Sequence, residues 1–137
     1  MKLWILMAVV LLGCKETTKA PAGPQTAVTR PSGLITQVLR AGDGAEAKAG
    51  DKVSVHYVGT LKDGTKFDSS RDRDTEFSFW VGEKQVIEGW DEGILGMREG
   101  ELRRLTIPAP LAYGSDAKPG IPANSTLVFE VELVNVR

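Results

Sequence analysis

Residues 52–61 read KVSVHYVGTL, and the tripeptide KDG follows at residues 62–64. Val53, Val55 and Tyr57 alternate with Lys52, Ser54 and His56, which is the period of a strand with one apolar face. The KDG tripeptide is typical of a hairpin turn, because glycine adopts positive φ without steric cost. This part of the chain therefore predicts antiparallel strands.

Four further segments have the composition of strands. They are residues 34–40, 77–81, 102–107 and 126–137, and the last of them places Leu127, Phe129, Val131 and Leu133 on one face. Pro108 and Pro110 end the third segment, because proline cannot donate to a strand ladder.

One short helix is predicted over residues 87–97, where Ile87, Trp90 and Ile94 share a helical face. Its three glycines each cost roughly 1 kcal/mol in helix propensity, so only packing against a sheet could hold it. The fold class that follows is α+β, a curved antiparallel β-sheet wrapped around one short α-helix.

Composition narrows the range of functions. The chain has 137 residues, of which 42% are hydrophobic and 26% charged, values typical of one globular domain. A formal net charge of −1 provides no general attraction for nucleic acid, so no nucleic-acid partner is expected. One cysteine and one histidine argue against a metal site, and no cofactor motif is present.

The amino terminus, MKLWILMAVVLLGC at residues 1–14, is typical of an export signal. The apolar run from Leu3 to Leu12 would span about 15 Å as a helix, half of a bilayer core of roughly 30 Å. We therefore interpret residues 1–13 as a signal peptide. Leu11–Cys14 (LLGC) resembles the bacterial lipobox, which implies cleavage before Cys14 and lipidation of that cysteine. The alternative is an ordinary signal peptide that ends by chance in a cysteine.

The expected location follows from this signal. The protein should be exported and lipid-anchored to a membrane, on the periplasmic or cell-surface side. Lys15 in place of aspartate after the cysteine favours the outer membrane if the cell is Gram-negative. Residues 14–32 then comprise the lipidated cysteine and a linker without aromatic residues, predicted to be flexible. The folded domain is predicted over residues 33–137.

The chain carries no motif for covalent catalysis, neither HExxH nor GxSxG nor a glycine-rich phosphate loop. Its unusual feature is a set of large aromatic residues near turns and strand ends. They are either core residues or the walls of an apolar cleft for a small ligand or peptide. The set comprises Tyr57, Phe67, Phe77, Trp80, Trp90, Tyr113 and Phe129.

Several blocks of sequence together resemble the FKBP-type peptidyl-prolyl cis–trans isomerases. The resemblance covers essentially all of residues 33–137, with its blocks in the order and spacing of the family. The blocks are HYVG (56–59), DGTKFDSS (63–70), VIEGWDEG (86–93), LTIP (105–108), LAYG (111–114), IP (121–122) and LVFEVEL (127–133).

The resemblance implies a peptidyl-prolyl isomerase that accelerates X–Pro rotation in exported proteins by an apolar aromatic cleft, without covalent chemistry. It implies catalytic roles for Asp68, Tyr57, the backbone N–H of Ile87 and the hydroxyl of Tyr113. Substrate-binding roles are implied for Phe67, Arg73, Phe77, Val86, Trp90, Ile121 and Phe129. The implied partners are proline-containing unfolded or flexible polypeptides, and macrolides such as rapamycin or tacrolimus. The alternative function is a non-catalytic module that binds or scaffolds proline peptides.

The chain also departs from the family pattern in one loop. Lys118 stands where many relatives carry histidine, and the loop at residues 120–122 is one residue shorter than in the drug-binding members. These differences bear on substrate preference and macrolide affinity. The chain also lacks a chaperone insert between Phe79 and Val86, which argues against strong holdase activity.

Overall fold

The computed structural model describes residues 23–137. The predicted signal peptide, the lipidation of Cys14 and the start of the predicted linker lie outside the described residues. Within them, no helix is long and apolar enough to cross a membrane.

The described residues form one antiparallel sheet of seven strands that curves around a single short helix, as predicted. The order in the sheet is β1-β2-β6-β7-β3-β4, and β5 pairs with β3 beside β4. The strands are β1 (Val28–Thr29), β2 (Ile35–Arg40), β3 (Lys52–Leu61), β4 (Lys66–Ser69), β5 (Phe77–Trp80), β6 (Leu102–Ile107) and β7 (Leu127–Val136).

Strand β3 is central because it pairs with three others. It runs along β7 on one side, while β4 and β5 pair with its two halves on the other side. The predicted hairpin turn joins β3 to β4: the Leu61 N–H donates to the Thr65 carbonyl over 2.8 Å, and Gly64 has φ of 95°. Because β3 pairs with other strands along its whole length, its apolar side chains, Val53, Val55 and Tyr57, lie in the core.

Helix α1 spans Glu88–Ile94, which is shorter than the predicted 87–97. It ends because Leu95 is extended, with ψ of 131°, and Gly96 has φ of 86°. Its glycines allow close packing, since a Cβ on Gly89 would lie 2.5 Å from Ile107 and one on Gly93 would lie 2.8 Å from Leu105. Packing on β6 therefore offsets the poor helix propensity of this segment.

Described residues that precede Gly33, where the sequence predicted the domain to start, already bond to the rest of the fold. Strand β1 pairs with β2, and the Gln25 N–H donates to the Val38 carbonyl over 2.8 Å. The Ser32 hydroxyl donates to the Glu92 carboxylate of α1 at 2.8 Å. These residues hold their place through backbone and hydroxyl hydrogen bonds, which an analysis of hydrophobic composition does not register.

The core lies between the concave face of the sheet and α1. It contains the apolar faces predicted for β3 and β7, and its fully buried members include Leu34, Val53, Val55, Ile94, Met97, Leu105, Ile107, Leu127, Val131 and Leu133. The outer face is polar, and there Arg40 and Arg71 both pair with Glu132. The core is thus filled on one side of the sheet only.

Candidate active site

At one end of the core, between the sheet and α1, the aromatic residues surround a cleft of about 180 Å³. The cleft is open to solvent at its mouth, where Phe77 and Tyr113 are each 37% exposed. Its lining consists of Tyr57, Phe67, Asp68, Phe77, Gln85, Val86, Ile87, Trp90, Tyr113 and Phe129.

Trp90 is the most buried ring of the lining. It lies in α1, is 4% exposed, and meets the rings of Tyr57 and Phe129 edge to face at 5.0 and 5.2 Å between centroids. Its Nε1 is buried and has no acceptor among residues 23–137. The ring of Trp90 therefore forms the buried base of the cleft, packed between Tyr57 and Phe129.

Two phenylalanines from β4 and β7, the strands on either side of β3, form one wall. The rings of Phe67 in β4 and Phe129 in β7 meet edge to face, with centroids 5.6 Å apart. Gly59 in β3 makes this possible, because a Cβ there would lie 2.7 Å from Phe67 and 2.8 Å from Phe129. The absence of a side chain at Gly59 thus shapes the wall.

The polar edge of the cleft is a hydrogen-bonded trio. The Tyr57 hydroxyl donates to Oδ2 of Asp68 at 2.5 Å, and Nη2 of Arg73 donates to the Tyr57 hydroxyl oxygen at 2.9 Å. Arg73 also pairs with Asp68 through Nη1, and the Ser69 N–H donates to Oδ1 of Asp68 at 2.8 Å. Every oxygen of the trio is therefore engaged, which fixes the Tyr57 ring against the cleft.

The trio also fixes the charge state of its members. Burial raises the pKa of Tyr57, and its hydrogen bond to Asp68 raises it further. Burial acts to raise the pKa of Asp68, but the hydrogen bonds from Tyr57 and Arg73 outweigh it and hold that pKa below its ordinary value. The hydrogen bond to Asp68 raises the pKa of Arg73. Near neutral pH the edge holds a phenol, a carboxylate and a guanidinium.

Ile87 precedes α1 with an extended backbone, φ −62° and ψ 150°. Its carbonyl accepts from the amides of Trp90 and Asp91, whereas its own N–H donates to no protein acceptor within the described part of the chain. Tyr113 follows a 3-10 turn at Ala109–Leu111 and reaches the mouth from the opposite side. The Ile87 N–H and the Tyr113 hydroxyl are therefore available to a guest in the cleft.

Nine of the eleven predicted site residues line the cleft. Arg73 does not line the cleft; it contacts two residues that do, Asp68 and Tyr57, through hydrogen bonds. Ile121 is not among the lining residues either; it is buried, at 7% exposure, in the core cluster that also contains Trp90 and Phe129. Trp80, considered with the aromatic set, belongs to the outer face, where Lys52 lies over its ring at 5.8 Å.

The sequence analysis missed Gln85 as a lining residue. Its Oε1 accepts from the Trp80 N–H at 2.9 Å, a local contact that no pattern in the sequence announces. Residues 23–137 contain no group of three or more His, Cys, Asp or Glu side chains that could hold a metal ion.

Comparison with known proteins agrees with this geometry. The family model for FKBP-type peptidyl-prolyl cis-trans isomerase matches residues 44–134. FK506-binding protein 1A of Neurospora crassa is 55% identical over 107 residues, which cover 77% of this chain and 89% of that protein. FK506-binding protein 4 of Mycosarcoma maydis is 48% identical over 123 residues, which cover 90% of this chain and 32% of that one.

The chain thus spans about a third of the Mycosarcoma protein. Among solved structures, AtFKBP13 superimposes with a TM-score of 0.77 at 36% identity, over 82% of this chain and all of that one. Sequence, fold and cleft therefore agree, and the chain belongs to the family of FKBP-type peptidyl-prolyl cis–trans isomerases.

Proposed function

We propose that this protein catalyses cis–trans rotation about X–Pro bonds by binding the proline in the aromatic cleft. The observation that carries the proposal is the combination of an apolar base, Trp90, with the unpaired Ile87 N–H at the edge of the same cleft. A proline-containing peptide matches that combination, because the proline ring is apolar and the carbonyls beside it can accept hydrogen bonds.

The physics of the reaction suits such a cleft. Rotation about an X–Pro bond has a barrier near 18–20 kcal/mol, because the twisted amide loses its partial double bond. The twisted amide also has less charge separation than the planar one, so a water-excluding apolar site favours it. No covalent bond to the substrate forms or breaks, and therefore no nucleophile is needed.

The polar groups of the cleft would hold the peptide in its bent form. The Ile87 N–H would donate to a carbonyl beside the proline, and the Tyr113 hydroxyl to a second carbonyl. Asp68 and Arg73 would keep the Tyr57 ring in place as a wall. Lowering the barrier by about 5 kcal/mol would shorten a half-minute rotation to several milliseconds.

The test is a protease-free isomerisation assay on the full chain in detergent micelles, with a short Leu-Pro peptide and NMR exchange as readout. We expect exchange between the cis and trans forms to accelerate by orders of magnitude. Saturable binding of the peptide without acceleration would overturn the proposal and favour the alternative, a non-catalytic module that binds proline segments.

The same cleft is proposed to bind macrolides such as tacrolimus or rapamycin. The supporting facts are the names of the relatives, FK506-binding proteins, and the aromatic lining around Trp90. Inhibition of turnover by equimolar tacrolimus is expected, while unchanged turnover in a large excess of the drug would contradict it. The altered loop at Lys118 makes the affinity itself a separate measurement.

We further propose that the enzyme is exported, anchored through lipid on Cys14, and acts on exported polypeptides as they fold. The support is the sequence alone: the short apolar run, and LLGC ending in the only cysteine of the chain. Several acyl chains would give a durable anchor, at about 0.8 kcal/mol per buried methylene. Cys14→Ser should abolish labelling with radioactive palmitate, and equal membrane partition of this variant would contradict the anchor.

A further inference from the structure

One cation stands at the mouth of the cleft without a counterion. The Lys118 ammonium lies over the Tyr113 ring, 5.5 Å from its centroid. The backbone of Lys118 is fixed by reciprocal hydrogen bonds with Ile121, of 2.9 and 2.8 Å. The ring and this tight loop together keep the ammonium beside the exposed Tyr113.

The other charges of the cleft are already compensated. Asp68 is the only ionisable acid in the lining, and it pairs with Arg73. By contrast, none of the ion pairs found within residues 23–137 includes Lys118, so no described carboxylate lies within 4.0 Å of its ammonium. Asp116 is the nearest acid in sequence, and only its backbone N–H is engaged, with the Tyr113 carbonyl at 3.0 Å. The Tyr113 side of the mouth therefore carries a positive charge that forms no ion pair with a described carboxylate.

We propose that Lys118 is a specificity-determining residue that favours peptides with an acidic side chain immediately outside the X–Pro pair. The inference rests on the proposed function, because a bound peptide must pass Tyr113 for Lys118 to meet it. With proline and X in the apolar cleft, the residue on either side of this pair is one Cα step of 3.8 Å away and emerges at the mouth. An acidic side chain there would meet the ammonium beside Tyr113, and at physiological salt charges interact over about 8 Å before they are screened.

The size of the effect follows from the exposure of the site. An ion pair between exposed side chains contributes about 0.2–1 kcal/mol, which corresponds to at most about a fivefold preference. We therefore expect kcat/KM to be about 1.4- to fivefold higher for Glu than for Gln at the responsive position. In 1 M salt, where the Debye length is about 3 Å, the preference should shrink towards one.

The experiment uses the full chain and two peptide pairs, with Glu or Gln either before the X residue or after the proline. Lys118→Met keeps the aliphatic stem and removes the charge, so the Glu-to-Gln ratio should fall to one. Lys118→Arg should retain the ratio and Lys118→Glu should invert it. Lys52→Met is the matched control, since it removes an ammonium from above an aromatic ring, Trp80, on the outer face. Its ratio should equal that of the wild type.

A wild-type ratio of one at both positions in low salt would overturn the inference. So would a preference that survives Lys118→Met, or one that Lys52→Met abolishes equally. If Lys118→Met does not fold, the contrast between the Arg and Glu variants decides the question. Turnover of the neutral Gln peptides reports on the proposed function by itself, so failure of that function is distinguishable from failure of this selectivity.

Discussion

Replacing Asp68 by leucine tests whether the polar edge contributes to catalysis or only to the fold. The substitution removes the acceptor of the Tyr57 hydroxyl and the partner of Arg73 while keeping similar bulk. Because the wall formed by Tyr57 would then lose its main constraint, we expect the twisted state of the substrate to be held less well. Ground-state binding depends mainly on apolar contact and should change less.

The magnitude follows from the contacts and their exposure. A hydrogen bond to a charged group contributes about 1.5–3 kcal/mol, but the Asp68 side chain is 40% exposed, so solvent screening reduces this to about 1–2 kcal/mol. At 1.36 kcal/mol per tenfold, kcat should fall by roughly 5- to 30-fold. Asp68→Asn keeps the shape and one acceptor, and its kcat should lie between those of the wild type and Asp68→Leu.

The assay separates catalysis from stability. Turnover and peptide affinity are measured by NMR at a temperature well below the unfolding midpoint of each variant, and the midpoints are recorded by circular dichroism. An Asp68→Leu protein with the wild-type kcat would refute the reasoning, since Asp68 would then be structural. Equal losses in affinity and kcat/KM would also refute it, because the carboxylate would then act on the bound ground state.

Three further predictions concern pH, packing and substrate preference. The folded-state pKa of Asp68 is lowered, so its carboxylate and the stability it contributes are present above pH about 4 and are lost as pH falls through that pKa. The pKa of Tyr57 is raised, so its hydroxyl keeps its proton well above neutral pH. kcat should therefore stay flat from pH 5 to 9, and a sigmoidal step there would contradict these assignments. Gly93→Ala should lower the unfolding midpoint, because overpacking against Leu105 costs about 1–3 kcal/mol while helix propensity returns about 1 kcal/mol. Gly23→Ala, which meets no atom within 4 Å, is its control, and a midpoint raised by Gly93→Ala would disprove the packing argument. Peptides with Leu before proline should react faster than those with Glu there, because X faces apolar walls; a reversed order would contradict the cleft as described.

The strands were predictable wherever apolar residues alternate over a long run. The sequence predicted β3 and β6 with the bounds that the structure has, and placed β2, β5 and β7 within one residue at each end. Strand β4 has only four residues, Lys66–Ser69, with polar side chains around Phe67, so periodicity could not reveal it. Its place depends on the hairpin turn and on ladder bonds to β3, which are properties of the backbone.

The site was predictable in its residues and less so in their arrangement. Motif resemblance identified the rings and Asp68, which the structure brings together around one cleft. It did not indicate that Ile121 lies in the core cluster outside the lining, and it did not identify Gln85. Whether a side chain in a loop faces the cleft or the core depends on loop geometry, and loop geometry has no periodic signature.

The hydrogen bonds made by residues 25–32 would set how far the enzyme can work from a membrane if the proposed anchor is present. If Cys14 carries the proposed anchor, only eleven residue steps separate it from Gln25, whose N–H is already bonded to β2. A fully extended chain of that length reaches about 40 Å, against about 70 Å for the nineteen steps to Gly33. With that anchor, the hydrogen bonds of residues 25–32 to the rest of the domain would keep the cleft closer to the lipid surface. The enzyme would then sample a thin shell of solution in which newly exported chains emerge.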